Sequence, residues 1–326
     1  MNEPLEIVAA DIGGTHARFS LARISDDGRI ELAEPVKLAT AAHASLQTAL
    51  EAFAAHCDHP LPRDMAIAIA GPVTGDTIRM TNNSWVIHPA DLDRSLGLDR
   101  HVLINDFAAV GHAIDRAGPD HFRHLAGPDT SLPPSGMISV VGPGTGLGVA
   151  ALLRDGANSH VIATEGGHID FAPHDALEDR LLDHLRQRHS RVSVERVVSG
   201  PGLRAILEVL CAMEGRAMPP GDDKALWTMA LDRQDSLFTA ALERFCLCLG
   251  SVAGDIALAH GPGSVVIAGG LGLRLADHLP RSGFAERFAA KGRYRSLMQS
   301  IIVKLITHSE PGLFGAAAAF ARKHYS

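Results

Sequence analysis

The sequence predicts an α/β protein of two domains. At 326 residues the chain is long enough for both. Short apolar runs of strand character alternate with stretches of helical spacing. One pattern, strand then glycine turn then strand, also occurs twice. Residues 6–10, Gly13-Gly14 and residues 17–23 make the first copy; residues 137–141, 142–148 and 149–153 make the second, about 130 residues later. This reads as a duplicated domain with one glycine turn on each side of a cleft. Two unrelated glycine hairpins are the alternative.

The composition narrows the function. With 46% hydrophobic residues and a mean hydropathy of +0.08, the chain can bury a large core. Its net charge is −7, its pI about 6.2, and it has no run of Lys or Arg. Nucleic acid and anionic membranes are therefore poor partners. An anionic ligand would be held mainly by backbone N–H groups and a metal ion. The start, Met1-Asn2-Glu3-Pro4, lacks the basic and apolar parts of a signal peptide. No apolar run approaches ~18 residues, so no membrane span is expected. Cys57, Cys211, Cys246 and Cys248 suggest neither a zinc cluster nor a disulfide framework, which fits a reducing cytoplasm.

In order, residues 6–10 read as a buried strand, Asp11-Ile12-Gly13-Gly14-Thr15 as a turn and 17–23 as the returning strand. Gly13-Gly14 permits positive φ and close approach of a phosphate to backbone amides. Thr15 adds a hydroxyl, and Asp11 is placed to hold a metal ion through water. An ordinary Gly-Gly hairpin is the rival reading. Residues 46–56 form an amphipathic helix and 65–70 an apolar strand. The polar knot Met80-Thr81-Asn82-Asn83-Ser84-Trp85 suits a sugar-binding loop, although polar turns are common. Residues 101–104 are a short strand, and Phe107, Val110 and Ile114 have helical spacing. Asn105-Asp106 thus falls at the carboxyl end of a strand, where open α/β sheets bind ligands. Asp106 is either the N-cap of that helix or a carboxylate placed to accept a proton from a substrate hydroxyl.

Residues 117–135, rich in Pro, Gly, Asp and His, read as a connection between the halves. The second glycine turn, Gly142 to Gly148, lacks the Lys-Ser/Thr of a Walker A loop, and Leu147 breaks the G-x-G-x-x-G spacing. A hairpin of backbone amides gripping phosphate remains. In Thr164-Glu165-Gly166-Gly167-His168, Glu165 and His168 are metal ligands or, equally well, groups reaching sugar hydroxyls. Glu195, in Ser193-Val194-Glu195-Arg196, reads as a surface helix charge or as a site residue. A long helix over 237–260 carries small residues Gly250, Ala253, Gly254 and Ala257 on a face suited to close packing. Gly269-Gly270 follows a strand over 264–268 and opens a helix, a place for a nucleotide. A last strand, 301–306, precedes an Ala-rich terminal helix.

Taken together, these segments resemble the bacterial glucokinases, of the superfamily that includes actin, hexokinases and heat-shock chaperone ATPases. Asp11-Ile12-Gly13-Gly14-Thr15, Met80-Thr81-Asn82-Asn83, Ile104-Asn105-Asp106-Phe107 and residues 142–148 carry the likeness. So do Glu165 through Pro173, Ser199-Gly200-Pro201-Gly202 and Ile267-Ala268-Gly269-Gly270. The resemblance implies two actin-like, ribonuclease H-like α/β domains with mixed sheets flanking a deep inter-domain cleft. Residues 1–116 plus 313–326 would form one and residues 117–312 the other.

It also implies that Ala10, Asp11, Ile12, Gly13, Gly14 and Thr15 form the first phosphate loop, and Gly144, Thr145 and Gly146 the second. Gly269 and Gly270, with Ser199-Gly200, would border the adenosine. Asn105, Asp106, Glu165, His168 and Glu195 would take the sugar hydroxyls, lying apart from the phosphate loops, with Asp106 as general base. The implied reaction is ATP- and Mg²⁺-dependent phosphorylation of D-glucose at its 6-hydroxyl, by a cytoplasmic homodimer. One departure is His16, where many relatives carry Asn. The Cys-rich zinc motif of the repressor-and-sugar-kinase branch is missing, as is a DNA-binding extension. Neither zinc nor a repressor role is expected. The rivals are a kinase for another hexose or amino sugar, a non-catalytic sugar sensor, and a chaperone-type ATPase.

Overall fold

The computed structural model describes residues 4–80, 83–156 and 158–325. The chain divides into two compact units, residues 1–117 with 308–326, and residues 118–307.

The first unit is built on a mixed six-stranded sheet. Its strands are β1 (Leu5–Ile12), β2 (His16–Ile24), β3 (Ile30–Leu32), β4 (Val36–Ala39), β5 (Asp64–Ile69) and β8 (Arg100–Asn105); a separate ribbon pairs β6 (Ile78–Arg79) with β7 (Val86–Ile87). The order is β3-β2-β1-β5-β8, with β4 also on β2. β1 and β2 are antiparallel, while β1, β5 and β8 run parallel. Alternation along β1 serves both faces. Val8, Ala10 and Ile12 meet α1 (Leu46–Ala54) through Leu50 and Phe53. Ile7 and Ala9 face the chain's last helix, Pro311–Tyr325, through Leu313, Ala317 and Phe320. α2 (Leu92–Leu96) leads into β8, and α3 (Asp106–Arg116) follows it without a loop. Gly315 lets the last helix approach α3 closely, because a Cβ there would collide with the Ala109 carbonyl.

The second unit repeats the scheme. β10 (Gly136–Pro143) and β11 (Leu147–Asp155) form an antiparallel hairpin extended by β12 (Asn158–Thr164). β13 (Ser264–Ile267) and β14 (Val303–Ile306) run parallel to β10. Residues 117–135 are more than a connection, since β9 (Phe122–Ala126) closes the far edge against β14. Local pattern hid this strand because it gains its partner 175 or more residues later. α4 (Ala176–Arg186), α5 (Gly200–Glu214), α6 (Asp223–Leu231) and α7 (Ser236–His260) precede β13. α8 (Gly269–Arg274), α9 (Phe284–Ala289) and α10 (Arg295–Gln299) follow it, and the last helix is α11.

By length and composition alone α7 is apolar enough to cross a membrane, as a long core helix can be. Most of it is nevertheless buried within the second unit. Its Gly250 and Gly254 admit the Phe284 and Phe288 carbonyls of α9.

Candidate active site

In the first unit, Ile12, Ile69 and Asn105 stand in register at the carboxyl ends of three parallel strands. The glycine turn after β1 and the Asn105-Asp106 pair after β8 therefore share one sheet edge. Asn105, not Asp106, caps α3. Its Oδ1 accepts the N–H groups of Phe107 (2.9 Å) and Ala108 (3.1 Å), and its Nδ2 donates to the Gly71 carbonyl at 3.0 Å. These bonds leave one Nδ2 hydrogen of a buried amide for a ligand. Asp106 is the first residue of α3, half-buried, where the helix dipole favours a carboxylate.

The first turn is anchored from outside. Thr40 donates its hydroxyl to the Gly14 carbonyl (2.9 Å) and its N–H to that of Thr15 (3.0 Å). Gly13 N–H donates to the His16 carbonyl at 2.9 Å. Neither Gly13 nor Gly14 uses the left-handed region, so glycine supplies bare backbone here rather than unusual φ. Asp11 lies in β1 beside Ala10, opposite Arg18, which donates to it at 3.2 Å and lies 3.7 Å from Glu310. Gly312 abuts Asp11, since a Cβ would come within 2.8 Å of its carboxyl. Burial raises the Asp11 carboxyl above its ordinary range, although Arg18 opposes this. Burial, with Lys37 and Arg18 nearby, keeps the His16 imidazole below its ordinary value. Of the polar knot, Thr81 and Asn82 lie outside the described residues. Asn83 accepts the Trp85 N–H (2.8 Å) while Trp85, buried, donates Nε1 to the His43 carbonyl.

In the second unit, Leu147 opens β11 directly after Gly144, Thr145 and Gly146. Its N–H donates to Glu195 Oε2 at 2.9 Å. Its carbonyl lies so close to Gly167 that a Cβ there would collide with it. Gly166 abuts Val149 in the same way. Glu165 and His168 thus flank a tight turn seated on β11, with Glu165 Oε2 and His168 Nε2 4.0 Å apart and both side chains more than half exposed. Ile169 and Val194 join this turn to that of Glu195, Val194 N–H donating to the Ile169 carbonyl at 2.9 Å.

The expected separation of sugar residues from phosphate loops therefore fails here: Glu195 is bonded to the second turn itself. Gly200 N–H, at the start of α5, donates to the Gly144 carbonyl at 2.8 Å. Gly269, at φ 77°, packs against the Pro143 carbonyl, and Gly270 beyond it is exposed. Thr145, Glu195 and Ser199 share a pocket of about 150 Å³ with Arg188, Arg196 and Arg204. Sequence reading missed these arginines because they are scattered rather than clustered. Arg188 pairs with Glu208 and Arg204 with Asp223.

The sequence model of the glucokinase family matches residues 8–323. The glucokinase of Zymomonas mobilis is 56% identical over 320 residues, covering 98% of this chain and 99% of that protein. This chain belongs to the glucokinase family. A crystal structure of a glucokinase from an Antarctic psychrotroph superposes with a TM-score of 0.83 at 32% identity, covering 99% of this chain and all of that one. A ROK-family glucokinase from Streptomyces griseus, solved with glucose and AMPPNP, shares the fold at a TM-score of 0.64 and 21% identity, over 98% of this chain and 100% of that one. The shared fold accounts for the mixed sheets.

Proposed function

We propose that this chain transfers the γ-phosphoryl group of ATP to the 6-hydroxyl of D-glucose, with Asp106 as general base. The observation that carries the reading is the shared sheet edge of the first unit, where Asp106 heads α3 at the same end of the sheet as the first glycine turn. Asp106 takes the proton of the 6-hydroxyl as that oxygen bonds to the γ-phosphorus, and the bond from phosphorus to the ADP oxygen breaks. Asn105 holds the start of α3 so that the carboxylate is fixed before the sugar arrives. Glu165, His168 and Glu195 offer acceptors and donors to the remaining hydroxyls.

The nucleotide phosphates lie on the amides of residues 13–15 and 144–146, with Gly269 and Gly270 toward the adenosine. Mg²⁺ suits the Asp11 corner, where the Asp11 and Glu310 carboxylates both face Arg18. Asp11 would hold it through water. Among the described residues no group of three or more His, Cys, Asp or Glu is arranged as a metal cage; a cation carried by phosphates needs none. When bound, it neutralises charge on the phosphates. A cytoplasmic homodimer belongs to the same reading, and sedimentation would show the dimer.

Coupled ADP release against a panel of hexoses and amino sugars tests the proposal. Glucose should give the highest kcat/KM. Equal ADP release with and without sugar would overturn the kinase reading in favour of a chaperone-type ATPase, and a higher kcat/KM for another sugar would reassign the substrate.

A further inference from the structure

Glu195 is tied down at both ends. Its backbone sits in a turn whose neighbours Val194 and Val197 are buried, and Val194 is bonded to Ile169, next to His168. Its carboxylate lies flat on the second glycine turn. Oε2 accepts the Leu147 N–H at 2.9 Å, and a Cβ on Gly146 would collide with that oxygen and come within 3.0 Å of Cδ. Oε1 has no hydrogen-bond partner among the described residues. One oxygen therefore supports the phosphate turn while the other is available to a ligand.

We propose that Glu195 is a positioning residue for the second phosphate turn as well as a sugar contact, so that each ligand is felt at the other's site through one carboxylate. The inference rests on the reading that Glu195 takes a sugar hydroxyl. A hydroxyl bonded to Oε1 restrains the carboxylate, and the restrained carboxylate holds Leu147 N–H and so the amides of residues 144–146. Because linkage is reciprocal, an occupied turn must favour the sugar by the same factor. Among the described residues the Glu165 and His168 side chains have no hydrogen bond to the turn, whereas Glu195 has one.

The test measures each ligand with the other absent, by calorimetry with a non-hydrolysable ATP analogue and with glucose. Without sugar, Glu195→Ala should weaken the nucleotide roughly five-fold or more, the effect of orphaning a partly buried N–H, whereas Glu165→Ala should leave it unchanged. Glu195→Gln, whose amide oxygen can still accept from Leu147, should restore most of that affinity while glucose KM stays raised. Conversely, Gly146→Ala should push the carboxylate aside and weaken glucose binding several-fold with no nucleotide present. Should Glu195→Ala fail to fold, the Gln variant and Gly146→Ala decide alone. Equal sugar-free nucleotide affinity in Glu195→Ala and Glu165→Ala, or unchanged glucose affinity in Gly146→Ala, would overturn the proposal. Turnover of glucose by the unaltered chain reports separately on the kinase reading.

Discussion

The two glycine turns stand at equivalent places in equivalent sheets, yet they are supported in different ways. The first, residues 13–15, is held by a hydroxyl and an amide of Thr40, with the Asp11–Arg18–Glu310 charges beside it. The second, residues 144–146, is held by close contacts that only glycine permits, at Gly146, Gly167 and Gly269, and by the Glu195 carboxylate. A turn supported by a distant Thr can be disturbed without touching the sugar residues. A turn bonded to Glu195, the proposed sugar contact, cannot. Duplication of a fold thus does not duplicate the way its sites are wired.

The largest effect expected is at Asp106, which has no counterpart in the second unit. Asp106→Asn should lower kcat by about 10²–10⁴-fold with an unchanged circular dichroism spectrum, and more than a tenth of normal kcat would remove the base from this position. The second unit's core offers the next. Glu178, 1% exposed, accepts from Arg244 and Arg287 at 2.8 Å each, and from the His174 N–H. Glu178→Ala leaves Arg244 and the buried Arg287 with only Asp175 as carboxylate partner and should cost about 3 kcal/mol, read as a lowered denaturation midpoint.

A smaller change sharpens the contrast between the turns. Thr40→Val removes one hydroxyl bond, on the order of 1 kcal/mol, and should raise KM for ATP several-fold while leaving glucose KM alone. A matching rise in glucose KM would show the first turn to be wired like the second. The smallest effect concerns pH. Burial, with Arg322 nearby, pushes His112 down to about 4. Below its ordinary value of 6.5 the unfolded chain takes up a proton that the folded one refuses. This contribution to stability is therefore full above pH 6.5 and is lost as pH falls toward 4. The melting temperature should drop by a few degrees over that window, and His112→Gln should flatten the slope.

Much of this was legible locally. Each strand–glycine turn–strand unit announces itself within about 20 residues, because strand period and bare backbone are both short-range properties. Asn105-Asp106 was readable for the same reason, although the cap fell to Asn105 and the first helical position to Asp106. What escaped depends on distant partners. β9 needs β14, and the support given by Thr40 lies in no motif. The bond from Leu147 to Glu195 spans 48 residues, so nothing local separates a surface helix charge at Glu195 from a site residue. Glycines at 146 and 167 were visible as letters, but the neighbours that require them were not.

The closing of the first unit by α11 has a consequence for synthesis. The second unit is continuous, from residue 118 to 307, and all its strands are synthesised before α11. The first sheet is made earlier, yet the face of Ile7, Ala9, Ala66 and Ala68, covered in part by Ala109 of α3, is completed only by α11, which is made after the whole second unit. The nascent chain therefore carries a partly uncovered apolar surface while the 190 residues of the second unit are added, a state open to misassociation and to chaperones. Speed of translation across the second unit, rather than the stability of either unit, would then set how long that surface waits for its lid.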